Sequence, residues 1–191
     1  MAHRSAPRVA AQATTLTVGP TSVHRLMNAL CNRSADELAS TIDGHAWYGD
    51  SLREILANVT ADQARARPIA DGHSIWEIVA HLDAWIGFFS RAIDGDPIPA
   101  WPAMPKELDW PPIDRGNDQT WQECLRSFFA HHLTFAEKIR TFGDERLEAT
   151  VPGRTYSFSR MFQSASLHAA YHAGQIALLK KAVDRSTVER L

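Results

Sequence analysis

Hydrophobic residues recur every three or four positions along most of the 191-residue chain, which is the spacing of amphipathic helices. Four long stretches carry this pattern, and they predict helices at 35–58, 75–94, 121–142 and 159–183. Alternating apolar and polar residues, which are typical of strands, are almost absent. The sequence therefore predicts an all-α fold in which the four helices form a four-helix bundle.

Helix starts are marked by capping boxes, in which a Ser or Thr is followed three residues later by Glu or Gln and the two side chains satisfy free backbone amides. This pattern occurs at Ser34–Glu37, Thr60–Gln63, Ser74–Glu77 and Thr120–Glu123. The second box predicts only a short helical turn, because Pro68 stops it.

Between the second and third predicted helices lies a stretch rich in proline. Residues 96–119 contain six of the ten prolines, so we expect a long crossover loop without helix. Trp101 and Trp110 belong to this loop, which could cover a site, cover one end of the bundle or make a dimer contact. Later in the chain, Val151-Pro-Gly-Arg154 predicts a type II turn.

The first 33 residues differ in composition from the rest. They are rich in Ala, Ser and Thr and contain arginines but no Asp or Glu. A transit peptide has this composition, but the segment has little amphipathic pattern, so we expect a disordered extension or translation that starts at Met27 instead. We therefore expect 1–33 to be a tail outside the fold, and 34–191 to be one domain.

Composition narrows the range of possible functions. The net charge of −2 offers no broad basic surface, so neither nucleic acid nor an anionic membrane is expected as a partner. No apolar run approaches the ~20 residues that span a bilayer. The two cysteines, Cys31 and Cys124, form no CxxC motif and predict free thiols in a reducing cytoplasm, with Cys124 a buried and inert one.

Two histidines in the last predicted helix are the first candidates for a site. His168 and His172 lie four residues apart, so they occupy one face of the helix ~6 Å apart along its axis and could bind one metal ion. The stretch lacks the glutamate of an HExxH motif, which excludes that class of metalloprotease.

A third histidine, His81, lies on the inner face of the second predicted helix. Three imidazoles that meet in a bundle core would make a metal site with open coordination positions. Gly174, a poor helix former, suggests close packing beside the pair. The alternative is that all three are core or boundary histidines with separate hydrogen-bond partners, and the pattern alone leaves both open.

At these residues the chain resembles the DinB/YfiT-like superfamily. The resemblance is carried by HSIWEIVAHLDAW (73–85) and LHAAYHAGQIALLKK (167–181), and it extends to GHAWYGDSLREIL (44–56) and VPGRTYSF (151–158). It implies a four-helix bundle with a long crossover, frequent homodimers, and a divalent metal ion. The ligands it implies are His81, His168 and His172.

Other polar residues are weaker candidates for the site. His45 could be a fourth ligand or a general base, but a satisfied core or boundary histidine is expected more often, and the same holds for His132. Tyr171 and Gln175 flank the histidine pair, where they could donate or accept a hydrogen bond at the site or simply pack. Three tryptophans are expected in the core: Trp47, Trp76 and Trp85.

The resemblance implies an enzyme that acts on a small molecule. Some members of the family are transferases or isomerases that use a low-molecular-weight thiol, and others are assigned only as metal-dependent hydrolases. Zinc and nickel are the expected ions, because imidazole suits both. Two other classes remain: a non-catalytic metal or small-ligand binder with a stress-response role, and a helical interaction protein whose histidines are structural.

Overall fold

The computed structural model describes residues 28–100, 103–113 and 116–188. In chain order its helices are α1 (Ala29–Asp43), α2 (Leu52–Leu56), α3 (Ala61–Arg65), α4 (Ile75–Ile93), α5 (Lys106–Asp109), α6 (Asp118–Arg140) and α7 (Phe158–Val188). A short 3₁₀ turn, Asp144–Arg146, lies between the last two. The described residues form no β-strand, so the prediction of an all-α fold is confirmed for them.

Four long helices enclose the core. Helix α1 packs on α6 and α7, and α4 packs on the same two helices. Large aromatic side chains fill the space between them, and four are fully buried: Trp121, Phe128, Phe135 and Phe162. None of the described helices is long and apolar enough to cross a membrane.

Two of the predicted capping boxes are confirmed. The Ser74 hydroxyl accepts from the backbone of Glu77, whose carboxylate accepts from the backbone of Ser74. Thr60 and Gln63 make the same reciprocal pair at α3. Because the capping box at Ser74 fixes where α4 begins, it also fixes which residues of that helix face inward.

The start of α1 differs from the prediction. The helix begins at Ala29, so Ser34 lies inside it and does not cap it. The free backbone amides of Leu30 and Cys31 donate to the Asp144 carboxylate at 3.0 and 2.9 Å. This cap comes from a residue far along the chain, and no local pattern could reveal it.

The predicted boundary between tail and domain is therefore wrong by several residues. Residues 28–33 belong to the folded part, and the side chain of Cys31 is fully buried. Residues 1–27 lie outside the described residues, and for them the tail remains a prediction.

The predicted helix at 35–58 is in fact two helices. Helix α1 ends at Asp43, and α2 begins after a capping box formed by Ser51 and Glu54. Gly49, in the connecting segment, has a φ of +152°, which disfavours any other residue. This break moves Trp47 out of the core, where we expected it, and leaves its side chain 94% exposed.

Two other predictions, the start of the third long helix and a loop without helix at 96–119, need correction. Helix α6 begins at Asp118, because the Asn117 side chain caps it and Thr120 does not. The connection between α4 and α6 contains the short helix α5, which its prolines did not suggest.

The predicted turn at Val151-Pro-Gly-Arg154 is confirmed. The Arg154 amide donates to the Val151 carbonyl, and Gly153 has the positive φ of +75° that a type II turn requires.

The long-range cap gives a testable prediction. Replacing Asp144 with Ala leaves two amides at the N-terminus of α1 without their acceptor, and it should lower the free energy of unfolding by about 1–2 kcal/mol. Urea denaturation measures the change. The matched control is Ser34→Ala, which should have little effect because Ser34 lies inside the helix. A larger loss for Ser34→Ala than for Asp144→Ala would contradict this assignment of the cap.

Candidate metal centre

Three histidines from two helices meet in the core. Helix α4 carries His81 and α7 carries His168 and His172, and one ring nitrogen of each lies within 4.8 Å of the other two. The Nε2 atoms of His81 and His168 are 3.0 Å apart. His81 and His172 are buried, and His168 is half-buried. The spacing of four residues thus brings the pair on α7 to one point, and packing against α4 adds the third ring.

Hydrogen bonds orient two of these rings. The Nδ1 atom of His81 lies 2.6 Å from the backbone carbonyl oxygen of Asp109, which can only accept, so Nδ1 carries the proton and Nε2 has a free lone pair. The Nδ1 atom of His172 lies 2.7 Å from Oε1 of Gln175, with the same consequence. In both rings Nε2 is therefore the unprotonated nitrogen, and that of His81 points at His168.

This arrangement fits a divalent metal ion. Two nitrogen ligands of tetrahedral zinc, each ~2.0–2.1 Å from the ion, lie ~3.3 Å apart, and the Nε2 atoms of His81 and His168 are separated by 3.0 Å. In the absence of an ion, Nε2–H of His168 must donate a hydrogen bond to Nε2 of His81 for this contact to be favourable. Three imidazoles are also a donor set that zinc, nickel, copper and iron all accept. The cluster could therefore hold a metal ion.

The surroundings keep the rings neutral. Burial, helped by the neighbouring imidazoles, lowers the pKa of His168 to about 3. Burial also lowers the pKa of His172 to about 4, although its hydrogen bond to Gln175 acts in the opposite direction. The pKa of His81 is lowered by burial too, and there the bond to Asp109 opposes the shift. Neutral imidazole is the form that binds metal, so at neutral pH the cluster needs to release no proton from these rings.

Aromatic rings cover one side of the cluster. Trp110 stacks on His81 with their centroids 4.0 Å apart and their planes 11° apart. His73 stacks on Trp110 at 3.5 Å. The sequence left open whether the connection between α4 and α6 covers a site, covers one end of the bundle or makes a dimer contact. The structure places Trp110 of this connection against the histidines. Trp101 lies outside the described residues.

Residues 45–176, more than half of the chain, match a family model described as the DinB superfamily. The chain belongs to the DinB superfamily. The matched range contains all three histidines of the cluster. No curated protein and no solved structure matched the chain.

In this DinB-superfamily chain, the weaker candidates for site residues differ in how close they lie to the histidine cluster. His45 is exposed in a groove beside α1 and α7, together with Thr41 and Tyr48, and it is not part of the histidine cluster. Tyr171 is largely exposed, with its ring edge toward His172 at 5.0 Å between centroids. Gln175 is the only one of the four weaker candidates that hydrogen-bonds a cluster histidine.

His132 is buried in the core, outside the cluster. Its Nδ1 atom donates to the carbonyl oxygen of Phe128 at 2.8 Å, and Nε2 has no hydrogen-bond partner among the described residues. Burial lowers the pKa of His132 to about 3. Its bare Nε2 therefore carries a lone pair and no proton, and the ring packs as a neutral core residue.

Two further expectations concern Gly174 and Cys124. Gly174 is exposed, and beyond the backbone of its own helix a Cβ atom added there would meet no atom within 4 Å among the described residues, which therefore do not show the expected close packing. Cys124 is a free, half-buried thiol. Burial raises the pKa of Cys124 to about 11, so the thiol stays protonated at neutral pH and is a poor nucleophile.

The lowered pKa values predict how stability depends on pH. Unfolded histidines take up protons below ~6.5, whereas the folded cluster resists protonation until much lower pH. The unfolded state then binds more protons, so the metal-free protein should lose stability as the pH falls from 7 to 5. His168 alone should account for about 1–2 kcal/mol of this loss.

Urea denaturation in the presence of a chelator, at both pH values, measures this loss. His168→Gln removes the titrating ring and keeps a neutral polar side chain, so its stability should fall less between pH 7 and 5 than that of the wild type. Parallel profiles for the two proteins would show that His168 is not held neutral by the fold.

Proposed function

We propose that this DinB-superfamily chain is a metal-dependent enzyme for a small-molecule substrate, with His81, His168 and His172 as the metal ligands. The observation that carries the proposal is the convergence of the three rings, two of which have Nδ1 engaged in a hydrogen bond and so keep Nε2 unprotonated. Histidines that served only the core would be expected to have separate partners, whereas His81 and His168 face each other at 3.0 Å.

The chain's residues have distinct roles in this proposal. The three neutral imidazoles bind the ion, and Asp109 and Gln175 hold the rings of His81 and His172 in the binding tautomer. A divalent ion held by neutral ligands keeps its full charge, so it would lower the pKa of a coordinated water or thiol or polarise a carbonyl group. Zinc or nickel is the ion we propose.

Two reaction classes draw on this chemistry. One is hydrolysis of an ester or amide, and the other is transfer of a low-molecular-weight thiol to an electrophile.

The second candidate function is a non-catalytic metal-binding or small-ligand-binding protein with a stress-response role. One observation favours it: the carboxylate of Asp109 lies 3.4 Å from Nδ1 of His81, behind that ring and away from the Nε2 that would bind an ion, so it is poorly placed to act as a general base on a coordinated water.

We further propose that the four long helices form the four-helix bundle of the family, with the α4–α6 connection as its crossover. Helices α1 and α4 each pack on both α6 and α7, which supports this arrangement.

A cytoplasmic location is proposed as well. It is supported by the two cysteines, Cys31 and Cys124, both of which are free thiols.

A homodimer through α7 is also proposed. Leu167, Tyr171 and Leu178 are 62%, 65% and 66% exposed, and their spacing places them on one face of the helix together with Gly174. Large apolar side chains that form a continuous exposed strip are typical of a protein interface. The open space at Gly174 would let the backbone of a second copy come close.

Light scattering after size exclusion tests the homodimer. Leu167→Lys combined with Leu178→Lys should convert a dimer into a monomer, because like charges without partners would be buried in the interface. The control is Ile69→Lys, which changes a similarly exposed apolar residue outside α7 and should leave the dimer intact. A wild-type protein that is monomeric at high concentration would contradict the proposal.

Metal content gives the direct prediction for the site. Protein purified without a histidine tag should contain about one divalent ion per chain, measured by elemental analysis. His168→Ala should lose most of it, because two imidazoles alone bind the ion much more weakly. His131→Ala is the control, since His131 is an exposed histidine bound to Asp83 and should leave the metal content unchanged. Full metal content in a triple variant of His81, His168 and His172 would contradict the site.

Activity assays distinguish the two candidate functions. The metal-loaded protein would be tested with a panel of esters and amides, and with a thiol together with an electrophile. Turnover that His168→Ala abolishes supports an enzyme and shows which reaction class applies. Bound metal without turnover in either assay supports the non-catalytic binder. Absence of both metal and turnover would mean that the histidines are structural.

A further inference from the structure

The connection between α4 and α6 places two consecutive residues, Asp109 and Trp110, directly on the ring of His81. We propose that these two residues are positioning residues for the metal ligand, so that the connection, and not only the helices, sets the metal affinity of the site. This inference rests on the proposed function, since it assumes that His81 binds the ion.

Asp109 fixes the tautomer of His81 in two ways. Its backbone carbonyl oxygen accepts from Nδ1 at 2.6 Å, and its carboxylate Oδ1 lies 3.4 Å from the same nitrogen. The carboxylate is itself held, because it accepts the indole N–H of Trp85 at 2.8 Å. A carboxylate or carbonyl behind a histidine ligand raises the basicity of the nitrogen that binds the metal. Asp109 is thus placed to strengthen the ligand as well as to orient it.

Trp110 fixes the plane of the same ring. Its indole lies nearly parallel to His81, with centroids 4.0 Å apart, and on its other face His73 lies nearly parallel at 3.5 Å. The edge of Trp85 approaches His81 from another direction at 6.3 Å. A His81 ring that rotated about its Cβ–Cγ bond would collide with this stack, so Nε2 stays directed toward His168 and His172.

The connection is itself anchored, as a positioning role requires. Ile98 and Met104 are buried in the core, and the short helix α5 holds the next residues by hydrogen bonds from the amides of Asp109 and Trp110 to the carbonyls of Pro105 and Lys106. Trp110 packs against the core without being fully buried. A rigid support behind the ligand reduces the ordering that metal binding would otherwise require.

The test is the affinity of purified metal-free variants for Zn²⁺, measured by competition with a chromophoric chelator at neutral pH. Trp110→Ala should weaken binding by about 10–100-fold, the range found when the supporting partners of a metal ligand are removed. Trp110→Phe keeps an aromatic face and should restore most of the affinity. Trp47→Ala is the matched control, because Trp47 is exposed and, among the described residues, its ring contacts only that of Tyr48.

A second variant covers the case in which Trp110→Ala does not fold. Asp109→Asn keeps the shape and the backbone acceptor but removes the charge near Nδ1, so it should weaken Zn²⁺ binding and change the visible absorption bands of the Co²⁺-loaded protein. A residue that only supported the fold would change the melting temperature and leave both readouts unaltered.

The outcomes separate this inference from the proposed function. If the wild type binds no Zn²⁺, both the metal site and the positioning role are wrong. If the wild type binds Zn²⁺, and folded Trp110→Ala or Asp109→Asn binds it equally well, the metal site stands and the positioning role is overturned.

Discussion

The burial of three imidazoles side by side between α4 and α7 is the constraint on which the rest of the structure depends. Each ring gives up hydration on burial, and unpaired polar atoms in a core cost free energy. Hydrogen bonds to Asp109 and Gln175 satisfy one nitrogen of two rings, and Nε2 of His81 lies 3.0 Å from Nε2 of His168. A metal ion could bind one nitrogen of each ring at once, which is why we propose a metal site here instead of core packing.

The parts of this arrangement that depend on local physics could be predicted from the sequence. The capping box at Ser74 and the apolar spacing that follows it define α4, and therefore the inward direction of His81. The spacing of four residues places His168 and His172 on one face of any helix. The family resemblance implied that His81 meets His168 and His172 in space. Periodicity alone left open that the three histidines are separate core residues.

The remaining features depend on contacts between distant residues, which local patterns do not carry. Asp144 caps a helix more than a hundred residues away, so the start of α1 was misplaced at Ser34. Asp109 and Trp110 contact His81 only when the chain folds back onto that residue. The break before α2 is different, because the capping box of Ser51 and Glu54 was present in the sequence and could have revealed it.

X-ray absorption spectroscopy of the Zn²⁺-loaded protein tests the central claim most directly, because it reports the ligands of the ion itself. The account predicts a first shell of nitrogen and oxygen ligands without sulfur, and outer-shell scattering that requires three imidazoles. His81→Gln should reduce that scattering to two imidazoles in whatever metal it retains. A shell with sulfur ligands, or imidazole scattering in the wild type that does not change in His81→Gln, would contradict a metal centre built from His81, His168 and His172.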